Sequence, residues 1–214
     1  MKNLFVCLFS FITVTAIAQD ARYMQAMERN VSTLDSAKVI STFQNAGNSF
    51  ERIAASNPKE WLPLYYQSYC LIMIGMQQNE NSRKDEYFDR AESLINKADS
   101  ISPENSEIAV LQSFVMGMKI SVDPMNRGQK LGMQSGMLVE KAIKLDKNNP
   151  RAYLLKGTSL LYRPAQYGGG KDKALPVLEE AVAKYKSFKP ANSIMPHWGE
   201  QRANEVLEQC KKQD

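Results

Sequence analysis

Residues 142–160 read AIKLDKNNPRAYLLKGTSL, and the Asn149-Pro150 step in their middle predicts the end of one helix and the start of another. Asparagine or serine before proline favours a helix start, because the polar side chain accepts unpaired backbone N–H groups and proline presets the backbone. The same step occurs twice more, as Asn57-Pro58 and Ser102-Pro103. These prolines and Pro196 follow one another at intervals of 45 to 47 residues. A fixed period of this length indicates one supersecondary unit used several times.

Apolar residues recur with helical spacing between these steps, and no run alternates in the way that a strand requires. We therefore predict helices over 22–33, 36–55, 59–76, 85–100, 104–120, 131–146, 151–163 and 172–187, and a ninth helix opened by Pro196. Stretches that are polar or contain proline and glycine predict loops at 77–84, 121–130 and 164–171.

The second helices of the units share a finer spacing. Small and bulky residues stand at offsets 0, 4, 7 and 12 in two units, as Ala46, Phe50, Ile53 and Pro58 and as Ala91, Ile95, Ala98 and Pro103. The small residues allow two helices to approach, and the bulky residue fills the space between them. This pattern resembles the second-helix signature of the tetratricopeptide repeat (TPR) family.

The match continues into the next first helix, where Tyr153, Gly157 and Leu160 hold the aromatic, glycine and bulky positions. The resemblance covers roughly residues 22–187 and implies an all-α, right-handed solenoid of about four TPR-like hairpins. Their predicted units are 22–57, 58–102, 103–149 and 150–187, with a capping helix at 196–212. Because the family's usual unit is only ~34 residues long, HEAT-type or armadillo-type repeats remain an alternative.

Three short motifs near the C-terminus are similar to those of a group of short secreted repeat proteins. They are Tyr-Gly-Gly-Gly-Lys-x-x-Ala at 167–174, Phe-Lys-Pro at 188–190 and Pro-x-Trp-Gly at 196–199. This second resemblance implies no particular activity.

The first 18 residues are typical of a secretory signal peptide. Lys2 precedes an apolar stretch from Leu4 to Val14, and Ala16-Ile17-Ala18 forms a small-x-small cleavage site. We predict cleavage after Ala18 and a repeat domain at 19–214 that is secreted or periplasmic; a retained N-terminal anchor is the alternative. Since no later stretch approaches the length of a membrane span, we expect no stable membrane insertion of the mature chain.

The chain has a small formal net charge of +4, and its basic residues are scattered along the sequence. Both features argue against a nucleic-acid partner. Cys70 and Cys210 lie in distant units of the predicted array, so we expect two separate thiols rather than a disulfide, with Cys210 partly exposed.

The residues that carry most enzyme chemistry are missing or isolated. His197 is the one histidine of the chain, and it stands beside Trp198. Neither Cys70 nor Cys210 has a convincing catalytic base beside it. We therefore expect no enzyme activity, no metal site and no cofactor. The Gly168–Gly170 run before Lys171 could bind an anion, but it lacks the preceding strand and the spacing of a P-loop, which favours a tight turn.

The TPR resemblance implies a concave groove lined by the first helices of the units. It places Glu107 and Arg151 at equivalent positions there, together with a set of apolar, aromatic and small residues: Tyr65, Tyr69, Met73, Phe114, Met118, Thr158 and Tyr162. Such a surface suits a protein or peptide segment, so the leading hypothesis is a non-catalytic interaction module. The alternative is a periplasmic protein that holds an apolar small molecule for transport. The last helix is predicted to cap the array with Trp198, Ala203, Val206 and Leu207.

Overall fold

The computed structural model describes residues 20–212, so the predicted signal peptide lies outside the described part. Within that range the regular structure is helical and contains no strand. The helices are α1 (20–35), α2 (Ile40–Ser56), α3 (Leu62–Met76), α4 (Asn81–Ile101), α5 (Ser106–Val122), α6 (Pro124–Leu145), α7 (Pro150–Tyr162), α8 (Lys171–Ser187) and α9 (Glu200–Lys212), with a short 3-10 turn at Ala165–Tyr167.

Consecutive helices form hairpins, and each hairpin packs on the next. The most extensive contacts lie within the pairs α3–α4, α5–α6 and α7–α8, while α2 packs on α3, α4 on α5 and α6 on α7. The first helices α3, α5 and α7 also contact one another in order. The protein is therefore an all-α solenoid, as the repeat pattern predicts, and its first helices lie side by side along one face.

One of the three proline steps starts a helix as predicted. The Asn149 side chain accepts a hydrogen bond from the Arg151 backbone N–H, and Pro150 is the first residue of α7. The other two predictions were wrong in detail, because Asn57 and Ser102 instead end α2 and α4. Each is followed by a short turn, so α3 starts at Leu62 and α5 starts at Ser106.

Two predicted loops are shorter than expected, and the helices that follow them are longer. α6 starts at Pro124 rather than near residue 131, because the Asp123 side chain accepts a hydrogen bond from the Asn126 backbone N–H and proline suits the first helical position. Gly128 is accommodated inside this helix. Similarly, α4 starts at Asn81 within the predicted 77–84 loop.

Small residues bring the two helices of a hairpin together. A Cβ atom added at Gly157 would lie 2.6 Å from Cδ2 of Leu178, and one added at Gly75 would lie 2.6 Å from the Phe88 ring. Both distances are too short for any side chain, so these glycines permit the close approach of α7 to α8 and of α3 to α4.

The last helix covers the end of the array. Ala203, Val206, Leu207 and Cys210 are buried in one apolar cluster with residues of α7 and α8. Cys210 is fully buried rather than partly exposed, and both Cys70 and Cys210 are free thiols. Two features of the predicted cap were wrong: α9 starts at Glu200 instead of 196, and Trp198 is not part of it.

Candidate ligand-binding groove

A non-helical segment lies across the concave face formed by α3, α5 and α7. This segment, which we call the strap, comprises residues 188–199 between α8 and α9. The Tyr66 hydroxyl in α3 donates a hydrogen bond to the Ile194 carbonyl at 2.8 Å, and the Ser193 hydroxyl donates to Glu28 of α1 at 2.6 Å. The strap thus returns from the last hairpin to the first helix.

Trp198 occupies the centre of the concave face. Its ring stacks on Tyr69 with centroids 5.2 Å apart and on Phe114 with centroids 5.7 Å apart. The indole N–H donates a hydrogen bond of 2.8 Å to the Tyr65 hydroxyl, and the Tyr185 hydroxyl donates one of 3.2 Å to the Trp198 carbonyl. Three of the predicted groove aromatics, Tyr65, Tyr69 and Phe114, are therefore partners of the protein's own tryptophan.

A buried ion pair lies beneath this stack. Arg151 donates from Nε to one carboxylate oxygen of Glu107 at 2.8 Å and from Nη2 to the other at 2.5 Å. Asn149 Nδ2 also donates to Glu107 at 2.8 Å, and the Tyr65 hydroxyl lies 3.4 Å from the same carboxylate. The Arg151 side chain is 1% exposed, so the pair is removed from water.

The protonation states in this centre follow from burial and charge. Burial works to lower the pKa of Arg151, but Glu107 outweighs it and the pKa is raised, so the guanidinium stays charged. Burial, assisted by Glu107, raises the pKa of Tyr65 well above its usual value, so its hydroxyl keeps its proton.

The ion pair supports the strap through its aromatic rings. The Arg151 guanidinium lies 4.6 Å from the ring centroid of Phe188 and 5.9 Å from that of Trp198. Both distances are in the range of cation–π attraction. Nη1 of Arg151 finds no hydrogen-bond partner among the described residues, which is consistent with its position against these rings.

The predicted groove residues divide into those that contact Trp198 and those that lie beyond it on the first helices. Tyr65 is fully buried and belongs to the core in this arrangement, while Tyr69 and Phe114 are half-buried under Trp198. One helical turn further along, Met73 and Met118 are half-buried and pack on the core. Thr158 is also half-buried, whereas Tyr162 is 56% exposed.

α9 forms a wall beside α7. The start of α9 is close to the start of α7, since a Cβ added at Gly199 would lie 3.4 Å from Leu154, and Gly199 itself has a φ of 109°. Further along, the Tyr162 hydroxyl donates a hydrogen bond of 3.0 Å to Gln209. α9 therefore runs parallel to α7, in the place that a further first helix would take.

These elements define one surface, which we call the groove. Its floor is formed by the predicted first-helix residues that lie beyond Trp198, its end is the Trp198 ring, and its side is the flank of α9 that carries Gln209. Met73, Met118 and Thr158 lie one helical turn after Tyr69, Phe114 and Leu154, respectively. Tyr162 lies one turn further along α7 and completes the floor. Apolar contact and aromatic edges dominate this surface, so it can hold a flat apolar molecule.

His197 lies in the strap and is fully engaged. Its Nδ1 is 2.9 Å from the Met195 carbonyl, and its Nε2 is 2.8 Å from the Asp35 carboxylate of α1. Across residues 20–212, no group of three or more His, Cys, Asp or Glu side chains is arranged to hold a metal ion. The contact of His197 with Asp35 holds the strap against α1.

The glycine run that suggested an anion site is a tight turn. The backbone N–H groups of Gly168, Gly169 and Gly170 donate to the carbonyls of Ala165, Pro164 and Leu160. Gly168 and Gly170 have positive φ values of 84° and 113°, and a Cβ at Gly169 would lie 2.0 Å from the Arg163 carbonyl oxygen. The three N–H groups are therefore used within the protein and do not point at a ligand.

None of the helices described over residues 20–212 combines the length and the apolar character needed to cross a bilayer.

Two solved structures resemble the chain over most of its length. The HusA haemophore from Porphyromonas gingivalis is 38% identical, with a TM-score of 0.80, and the match covers 90% of this chain and 95% of that one. A thermophilic TPR protein from Thermus thermophilus is 14% identical, with a TM-score of 0.52 and coverage of 94% of each chain, which supports the fold alone. Neither a protein-family model nor a curated protein matches the sequence.

Proposed function

The chain belongs to the family of the HusA haemophore, and from that premise we propose that it is a non-catalytic binding protein for haem or a related porphyrin. The similarity to a haemophore along nearly the whole chain is the observation that carries the proposal. We place this activity outside the cytoplasm, in agreement with the predicted signal peptide. The groove between Trp198 and α9 is the proposed binding surface.

The strap favours a small molecule over a peptide. A peptide in an open TPR groove would run along the first helices, but the Trp198 ring already covers Tyr69 and Phe114 there. Its indole hydrogen bond and the buried Ile194 hold it there. With Trp198 in place, the first helices present a shorter surface, which favours a compact ligand over an extended chain.

The chemical character of the groove residues supports a porphyrin as the ligand. Met73 and Met118 offer polarizable thioethers, and Tyr162 and Trp198 offer aromatic edges. Histidine is a common iron ligand in haem proteins, yet both ring nitrogens of His197 already have partners in the strap and α1. We therefore propose that contact with the ring face, rather than a histidine–iron bond, provides most of the affinity.

A titration of residues 19–214 with haem and with metal-free protoporphyrin tests this proposal. We expect saturable binding of both, with dissociation constants within about tenfold of each other, because the ring-face contacts do not depend on iron. Absorbance in the Soret region and quenching of tryptophan fluorescence measure the two affinities. Binding of neither compound would refute the proposed function, and tight binding of haem alone would refute the ring-face mechanism.

Paired methionine variants locate the site. Met73→Gln with Met118→Gln is expected to weaken metal-free porphyrin binding by about tenfold or more, since apolar contact is lost from the floor of the groove. The matched control is Met133→Gln with Met137→Gln on the exposed face of α6, where the side chains are 63% and 60% exposed. We expect the control to bind like the unchanged protein. Helical circular dichroism verifies that both variants are folded, and equal effects in the two pairs would place the ligand elsewhere.

A further inference from the structure

α9 carries a cation, Arg202, on the flank that also carries Gln209. Arg202 and Gln209 are seven residues apart, which is two helical turns, so they lie on the same flank of the helix. Gln209 reaches Tyr162 from this flank. Because α9 starts beside Leu154 and runs parallel to α7, the equal rise of the two helices puts Arg202 near the level of Thr158, between Trp198 and Gln209.

The ion pair that Arg202 forms in this structure is weak. Its Nη1 lies 3.4 Å from a Glu205 carboxylate oxygen, and the two side chains are 55% and 50% exposed. Glu205 also accepts a hydrogen bond from Gln201 at 2.9 Å. An exposed ion pair of this kind contributes little, so Arg202 can exchange Glu205 for another carboxylate at low cost.

Two cations of the first helices, Arg151 and Lys119, form stronger ion pairs than Arg202 does. Arg151 is buried and bidentate on Glu107. Lys119 bonds two carboxylates, those of Asp89 at 2.8 Å and Glu92 at 2.6 Å, in a largely covered position. Arg202 therefore combines a location at the groove with a guanidinium that is accessible to a ligand.

We propose that Arg202 recognises a carboxylate of the ligand and so selects flat apolar rings that carry acidic side groups. This inference rests on the proposed function and deepens it, since the porphyrin of haem bears two propionates at one edge. A guanidinium binds a carboxylate through two parallel hydrogen bonds, which would fix that edge towards α9. Glu205 lies beside the same position and opposes the approach of an anion, so its replacement acts in the opposite direction.

The test compares deuteroporphyrin with its dimethyl ester, which has the same ring without the charges. We expect the unchanged protein to prefer the acid by about fivefold, the size of effect that one partly exposed ion pair gives. Arg202→Gln removes this preference by weakening the acid alone, while Glu205→Gln increases it. The matched control is Lys211→Gln, which removes one positive charge from the opposite flank of α9, where Lys211 pairs with Glu208 at 3.6 Å.

The outcomes separate this inference from the proposed function. If the unchanged protein binds acid and ester equally, or if Arg202→Gln weakens both to the same extent, the role of Arg202 is refuted while porphyrin binding stands. The same conclusion follows if Lys211→Gln lowers the preference as much as Arg202→Gln does. If neither porphyrin binds the unchanged protein, the proposed function and this inference both fail.

Discussion

Glu107→Ala is expected to lower the free energy of unfolding by about 3–5 kcal/mol. The substitution leaves the Arg151 guanidinium buried without its counter-charge, and it also removes the acceptor for Asn149. A buried charge that loses its partner keeps the full cost of desolvation, which is why the loss exceeds the value of an ordinary hydrogen bond. Urea unfolding followed by circular dichroism measures the change.

A matched control separates burial from the mere loss of an ion pair. Glu140→Ala removes the bond of 2.7 Å to Lys156, in a pair whose lysine and glutamate side chains are 36% and 61% exposed, and should cost less than about 1 kcal/mol. The double variant Glu107→Met with Arg151→Met should recover most of the loss, because it removes the unpaired charge as well. If Glu107→Ala were as mild as Glu140→Ala, the buried pair would not hold the concave face together.

Trp198→Ala should cost about 3–5 kcal/mol of unfolding free energy, as removal of a large packed aromatic side chain does. The indole stacks on two rings and donates a hydrogen bond to Tyr65, and all of these interactions disappear together. Thermal unfolding followed by circular dichroism measures the effect. Trp198→Phe keeps an aromatic ring against Tyr69 and Phe114 and loses only the indole hydrogen bond. It should therefore lower the free energy of unfolding clearly less than Trp198→Ala does.

The exposed Tyr167 provides the comparison for Trp198. It is 70% exposed, and Tyr167→Ala should change stability by no more than about 0.5 kcal/mol. A Trp198→Ala variant as stable as Tyr167→Ala would mean that the strap does not pack in the concave face, and the shape proposed for the groove would then be wrong.

The hairpins could be predicted because their signals are local. Small and bulky residues at a constant spacing report the packing of one helix on the next, so the fold class followed from pairs such as Ala91 and Ile95. The capping role of α9 followed from the period of Ala203, Val206 and Leu207. Helix ends were harder to predict, because Asn57 and Ser102 end a helix although their side chains can also start one.

The strap could not be predicted from local patterns. Its contacts join residues more than 100 positions apart, as in the bonds from Ile194 to Tyr66 and from Ser193 to Glu28. The Pro-x-Trp-Gly motif predicts a helix start, whereas Gly199 adopts a positive φ that postpones the helix to Glu200. One signal was available: a connector that contains Phe188, Ile194 and Trp198 is too apolar to lie in water and needs a surface to cover it.

The buried ion pair was closer to being predictable. Glu107 and Arg151 hold equivalent positions in consecutive units, so the repeat register places them side by side on the concave face. No residue pattern indicates a porphyrin in a comparable way. The one histidine anchors the strap, and methionines and aromatic residues line protein cores and ligand sites alike.

Methionine methyl NMR tests the central claim most directly, because methionines lie both in the groove and far from it. Spectra of ¹³C-methyl-labelled protein would be recorded with and without metal-free deuteroporphyrin, with signals assigned from single Met→Leu variants. The ring current of a porphyrin held against the first helices should shift the Met73 and Met118 methyl signals upfield. Met125, Met133 and Met137, which are 93%, 63% and 60% exposed on α6, should keep their positions. Shifts confined to the α6 methionines, or none at saturating porphyrin, would contradict binding in the groove.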